Sequence, residues 1–93
     1  MKNKTLLTTC AVGDLYIEKV LSFLETDFSK NFNIHILTDK PYLFPKGPTV
    51  ERYKEPIFNF FDKFIFGINK ILENQSLGLL YDADELVNLE RDY

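Results

Sequence analysis

Asp82, Ala83, Asp84 and Glu85 put three carboxylates at the end of an apolar run, residues 77–81, LGLLY. At an effective dielectric near 20, two carboxylates about 5 Å apart repel by roughly 3 kcal/mol, so water, a basic partner or a cation has to offset the charge. Asp82 and Asp84 are separated by one residue, and in an extended segment positions i and i+2 face the same side. Two hard oxygen ligands facing one way suit Mg²⁺ or Mn²⁺, ions that keep water and phosphate oxygens in their shell. The pattern therefore points to a metal that carries a diphosphate, with a solvated acidic turn after a strand as the plain alternative. An EF-hand loop is excluded, because the glycine of its sixth position and the glutamate of its twelfth are here Val87 and Tyr93. An aspartate nucleophile at a strand end is a further chemical option. Neither GxxxxGKS/T nor GxGxxG occurs, so no phosphate loop or dinucleotide fingerprint accompanies the acidic pair.

The other reactive side chains are isolated. Cys10 is the single cysteine and has no base beside it in sequence, so it reads as a small buried hydrophobe. A single cysteine also excludes an internal disulfide, and nothing points to an oxidising compartment. His35, the single histidine, alternates with Ile34 and Ile36 and has no second His or Cys nearby to share a metal. Asp39, ahead of Lys40 and Pro41, is a turn former.

The elements that must position the acidic pair follow from apolar spacing. Residues 5–12, TLLTTCAV, are β-branched and apolar, end at the turn pair Gly13-Asp14, and read as a buried strand. Asp14 can cap the helix that follows, in which Tyr16, Ile17, Val20, Leu21, Leu24 and Phe28 recur at helical spacing. Residues 33–38, NIHILT, form a second strand that Pro41 ends, and residues 49–53, TVERY, a short third one after a loop punctuated by Pro45, Gly47 and Pro48. Residues 57–73 carry Phe61, Phe64, Ile65, Ile68, Ile71 and Leu72 at helical spacing, with Phe58, Phe60 and Phe66 widening the apolar face. A helix apolar on so many sides has more than one neighbour. Asn74, Gln75 and Ser76 break it before the last strand, LGLLY. The order β-α-β-β-α-β, with long crossovers, predicts a single α/β domain over residues 1–93 with parallel strands, Rossmann-like, in which ligands bind beyond the carboxyl ends of the strands.

Composition narrows the partners. The 93 residues are 45% hydrophobic and 27% charged, ordinary for one globular domain or part of one. A net charge of −3 offers no footprint for nucleic acid or an anionic membrane surface. No run reaches the roughly 18 apolar residues of a membrane span, and LLTTC near the amino terminus is too short and too polar for a signal sequence. The expected setting is cytoplasmic.

A first strand, a helix ending FLET, a strand ending LTDKP, and an aromatic-rich helix leading into LLYDADELV together resemble the nucleotide-sugar-binding half of a GT-A glycosyltransferase. YIEKVLSFLETDFSKNFNIHILTDKP is similar to the family 6 retaining enzymes, the blood-group A and B transferases and their galactosyltransferase relatives. YDADELV is equally similar to the YLDAD segment of family 8, the glycogenin-like transferases. The likeness spans nearly the whole chain, and only its DxD is functionally specific.

The resemblance implies roles. Asp84 would bind the divalent metal, Mn²⁺ or Mg²⁺, that bridges the two phosphates of a UDP-sugar, and Asp82 would touch both ribose and metal. The backbone at Cys10, Ala11 and Val12 would meet the uridine, and Tyr16 would stack on or hydrogen-bond to the uracil. Lys63 would approach the diphosphate, although FNFFDKFIF around it departs from the family 6 pattern. Taken without the resemblance, Tyr16 reads as a core residue and Lys63 as the solvated edge of its helix.

The chain ends nine residues after Asp84, whereas GT-A enzymes place their acceptor site after the DxD. The expectation is therefore the donor-binding part of a hexosyltransferase, with a glycan acceptor only in a longer chain and no transfer by this chain alone. The alternative is a non-catalytic nucleotide- or metal-binding module, or an inactive remnant. A half-sheet also exposes an edge that favours self-association.

Overall fold

The computed structural model describes residues 4–55, 59, 61–74 and 77–92. Four strands, β1 (Thr5–Ala11), β2 (Phe32–Thr38), β3 (Thr49–Arg52) and β4 (Gly78–Leu80), form one sheet in the order β3-β2-β1-β4. All three pairings are parallel. Three helices, α1 (Asp14–Leu24), α2 (Asp62–Asn74) and α3 (Leu86–Asp92), complete an α/β fold. The last helix was not expected from the sequence. Ile57, Phe58 and Phe60, assigned above to the second helix, and the helix-breaking Gln75 and Ser76 lie outside the described residues.

Alternation along the strands sorts the core into two layers. Leu7 and Ala11 of β1 and Ile34 and Ile36 of β2 pack with Ile17, Val20 and Phe23 of α1 and with Leu86 and Leu89 of α3. Their neighbours Cys10 and Leu37 face the other way, into a smaller cluster with Tyr53 and Phe66 of α2. Fully burying each large aliphatic side chain contributes about 1.5–3 kcal/mol. The first layer is closed at its lower end by Phe23, Phe28 and Phe32, whose rings lie 5.2 to 6.5 Å apart.

This two-faced cover follows from the strand order. From β1 the chain steps outward to β2 and β3, with α1 on one face. It then doubles back past β1 to β4, with α2 on the other, because right-handed crossovers in opposite directions put their helices on opposite faces. The reversal leaves a topological switch point between β1 and β4, where parallel α/β sheets form a crevice at the carboxyl ends of their strands.

Candidate functional site

Two strand ends border the switch point. The β1–β4 ladder pairs Leu6 with Gly78 and Thr8 with Leu80, and the Tyr81 N–H donates to the Thr8 carbonyl at 3.1 Å. Tyr81, Asp82 and Asp84 therefore leave the sheet on the same rim as Cys10, Ala11, Val12 and Gly13. Gly13 turns the chain from β1 into α1 with φ +100°, a conformation that side chains disfavour. Its N–H donates to Asp39 Oδ1 at 3.2 Å, so the carboxylate at the end of β2 fixes the turn. Asp14 does not cap α1 with its side chain; it is the helix's first residue and pairs with Lys40 at 2.6 Å.

Lys63, in the first turn of α2, reaches across to Asp82 and donates to its Oδ1. The lysine side chain is only 13% exposed, against 47% for the aspartate, so Lys63 is not the solvated edge of its helix. Its ammonium also lies 5.1 Å from the centre of the Phe64 ring. Next to it, Asp62 accepts a hydrogen bond from the Tyr53 hydroxyl at 2.6 Å, and that bond holds the phenol above its ordinary range. Burial pushes the Cys10 thiol up to about 12, with Lys63 pulling it down less strongly and Asp82 and Asp62 adding to the rise. Cys10 is thus a protonated thiol within the field of Lys63 and Asp82.

The acidic pair departs from the extended geometry expected of it. Asp82 is extended, with φ −69° and ψ 150°, but Ala83–Glu85 wind into a turn of 3₁₀ helix closed by the Glu85 N–H on the Asp82 carbonyl at 2.9 Å. Three residues per turn replace two, so i and i+2 no longer face one side. Asp82 looks toward α2 and Lys63, while Asp84 borders a groove between α1 and α3 with Leu15, Lys19 and Val87. Ala83, between them, is buried against the α1 layer and anchors the turn.

Apolar spacing alone puts Tyr16 in the core, yet it is 44% exposed in the first turn of α1, close to Gly13. The backbone of Cys10 and Ala11 continues the β1–β2 ladder opposite Leu37 and Thr38, and Val12 follows, half-buried against the Leu37–Tyr53–Phe66 cluster. Asp39, Tyr53 and Asp62 belong to the same rim and were not singled out for it. Their signal was position alone, directly after β2, after β3 and at the start of α2.

In kind, the donor set suits a hard cation: carboxylate oxygens just past a strand end, on Asp82 and Asp84, both exposed. Its arrangement is that of an ion-paired state, because Asp82 is engaged by Lys63. Among the described residues no group of three or more His, Cys, Asp or Glu converges as a metal site. No helix among them is long and apolar enough to cross a membrane. Protein-family models, curated proteins and solved structures yield no match to the chain.

Proposed function

We propose that this chain binds the nucleotide-sugar donor of a metal-dependent glycosyltransferase and is the donor-binding portion of a GT-A fold. The observation that carries the reading is the switch point between β1 and β4, which gathers Tyr81, Asp82, Asp84, Lys63 and the end of β1 on one rim. A UDP-sugar laid there meets a basic side chain for its diphosphate, carboxylates for a cation, and the exposed Tyr16 ring beside Gly13 for its base.

Asp84 and Asp82 would hold Mg²⁺ or Mn²⁺ together only with the 3₁₀ turn between them opened and Asp82 released from Lys63, and the ion would then supply Lewis-acid stabilisation of the leaving diphosphate. The chain's own part is to bind and orient. Lys63 offers a largely buried ammonium that exchanges the Asp82 carboxylate for a phosphate oxygen, and the Gly13 turn keeps the β1 end open to the nucleoside. None of these residues positions an acceptor. Holding the diphosphate equally well before and during reaction does not speed the chemical step, so the chain alone binds donor without transferring the sugar. Kinship with family 6 or with family 8 is part of this proposal.

A nucleotide-binding module without transferase activity is the second reading, favoured by the Lys63–Asp82 pair, which neutralises Asp82 without a metal. Calorimetry with Mn²⁺, with UDP and with both separates the readings. Metal-assisted binding is expected: weak Mn²⁺ alone, tighter UDP with Mn²⁺, and loss of that gain in Asp84→Asn. Equal UDP affinity with and without metal supports the module, and no UDP binding at all removes both.

A further inference from the structure

The face of α2 that touches the sheet is not its most apolar one. Phe66 and Lys70 point toward β2 and β3, where Phe66 packs on Leu37 and Tyr53, and Lys70 pairs with Glu51. Gly67 sits directly on Leu80 and Thr8, and Ile71 on Gly78. At 100° per residue, the next sector beyond Gly67 and Ile71 holds Phe64, Ile68, Phe61, Leu72 and Ile65. That sector lies past β4 and turns outward. Phe61, Ile65, Ile68 and Leu72 are 53 to 68% exposed there, and Leu77, at the foot of β4, is 92% exposed.

Among the described residues β4 is an edge strand, paired with β1 alone. In a parallel ladder, alternate residues turn their N–H and C=O to the same neighbour. Since the Tyr81 N–H bonds to β1, the N–H and C=O of Leu80 face outward, along the same side as the α2 stripe. An open ladder and an apolar helix face thus form one continuous surface.

We propose that this surface is a dimer interface, occupied by a second copy of the chain through antiparallel pairing of β4 with β4 across a two-fold axis, with the two α2 stripes packed against each other. Area supports a partner of this kind. Taking about 200 Å² for a fully exposed large apolar residue, the stripe and Leu77 expose on the order of 700 Å². That exceeds the roughly 300–600 Å² of the largest patch on a typical monomer and approaches the about 800 Å² per partner of a stable interface. Charge permits a copy of the chain itself. A two-fold contact sets each residue near its own symmetry mate, and Phe61, Phe64, Ile65, Ile68, Leu72 and β4 carry no charge that would repel itself there. Of the polar positions of α2, Asn69, Asp62 and Glu73 follow Ile65 on the flank of the stripe away from β4, and Lys63, Lys70 and Asn74 fall toward the sheet. The inference stands apart from the donor site, because it uses neither Asp82 nor Lys63.

Light scattering coupled to gel filtration, over about 1 to 100 μM, tests it. The expected mass is that of two chains. Ile68→Glu with Leu72→Glu is expected to give one chain with unchanged far-UV circular dichroism, and Val87→Glu, at an exposed position of α3, is expected to stay dimeric. A monomer at 100 μM, a dimer that survives the α2 changes, or one broken only by Val87→Glu overturns the proposal, as does open-ended association. Should the double variant fail to fold, amide exchange in the wild type decides. The Leu80 amide is expected to be protected in the dimer and to lose protection on dilution, and exchange that is fast at all concentrations overturns the pairing.

Discussion

Lys63 Nζ and Asp82 Oδ1 form an ion pair across 19 residues of sequence, tying the first turn of α2 to the end of β4. The pair satisfies one of the three neighbouring carboxylates from within the chain, and it places a cation and a carboxylate where a metal diphosphate would exchange partners with both. Lys63→Met frees Asp82 and removes the charge proposed to meet the diphosphate. Mn²⁺ alone is then expected to bind about two- to fivefold tighter, the equivalent of roughly 0.5–1 kcal/mol for a part-exposed pair. UDP without metal is expected to bind more weakly. Calorimetry reads both, and a variant that shifts the two affinities in the same direction contradicts the exchange.

Gly67 sets the distance between α2 and the sheet. A Cβ there would lie 2.6 Å from Leu80 Cγ and 2.8 Å from Thr8 Oγ1, so Gly67→Ala must push the helix outward or force Leu80 from its rotamer. A loss of about 1–3 kcal/mol is expected for such overpacking. Thermal denaturation checks it, at roughly 4–8 °C per kcal/mol for a domain of this size. A melting point equal to the wild type would mean that the layer is looser than described.

His35 is buried in the middle of β2, its Nδ1 without a hydrogen-bond partner. Burial first and Lys70 second lower its pKa from 6.5, against the opposite pull of Glu51 and Glu73. The unfolded chain therefore takes up this proton near pH 6.5 and the folded chain only at lower pH. Above 6.5 the imidazole is neutral in both states; below it, unfolding is linked to proton uptake and stability is lost as pH falls. Urea denaturation from pH 7.5 down to 5 is expected to show a steeper loss for the wild type than for His35→Gln. Parallel profiles would remove His35 as the cause.

Cys10 gives a chemical readout of the same packing. With its thiol pushed up to about 12 from 9.0, the folded chain carries about a thousandfold less thiolate than the unfolded chain at neutral pH. Labelling with an aromatic disulfide at pH 8 is expected to be slow in buffer and complete in denaturant. Since the folded value is the higher one, the same shift stabilises the fold below pH 9 and is lost as pH rises above it. Rapid labelling of the native chain would show that the end of β1 opens.

The strands were legible because alternation and β-branched runs report a sheet buried on both faces, as in TLLTTCA and FNIHILT. α1 and α2 were legible in existence but not in orientation, and α3 was not legible at all. On α1, spacing put Tyr16 on the core side and passed over Phe23, yet Ile17, Val20 and Phe23 are the buried set. On α2, the apolar stripe that the periodicity marked is largely exposed, and the sheet meets Phe66 and Gly67 instead. Periodicity finds an apolar face and does not say which of two faces meets the sheet; here a glycine wins, because its missing side chain lets Leu80 approach. At the acidic pair, strand alternation gave way to a 3₁₀ turn, since buried Ala83 pulls the chain under α1 as soon as β4 ends. The Lys63–Asp82 contact had no signature in spacing. It depends on the crossover that brings α2 over β4.

On the proposed donor reading, Tyr16 separates recognition of the base from recognition of the phosphates. Its ring is exposed in the first turn of α1 and contributes little to the core, so Tyr16→Ala is expected to leave the melting point within a degree or two of the wild type. Stacking of a base on an aromatic ring is worth about 1–3 kcal/mol, and its loss is expected to weaken UDP binding by about 5- to 150-fold. Inorganic diphosphate has no base to stack, and its affinity is expected to be unchanged in the same variant. Tyr16→Phe keeps the ring and removes the hydroxyl, so near-wild-type affinity identifies stacking, whereas a loss as large as that of alanine identifies a hydrogen bond to the uracil. Lys63→Met gives the complementary pattern, weakening UDP and diphosphate alike. If Tyr16→Ala weakens both ligands equally, the ring shapes the Gly13 turn rather than the base site, and the nucleoside must be sought elsewhere on the rim.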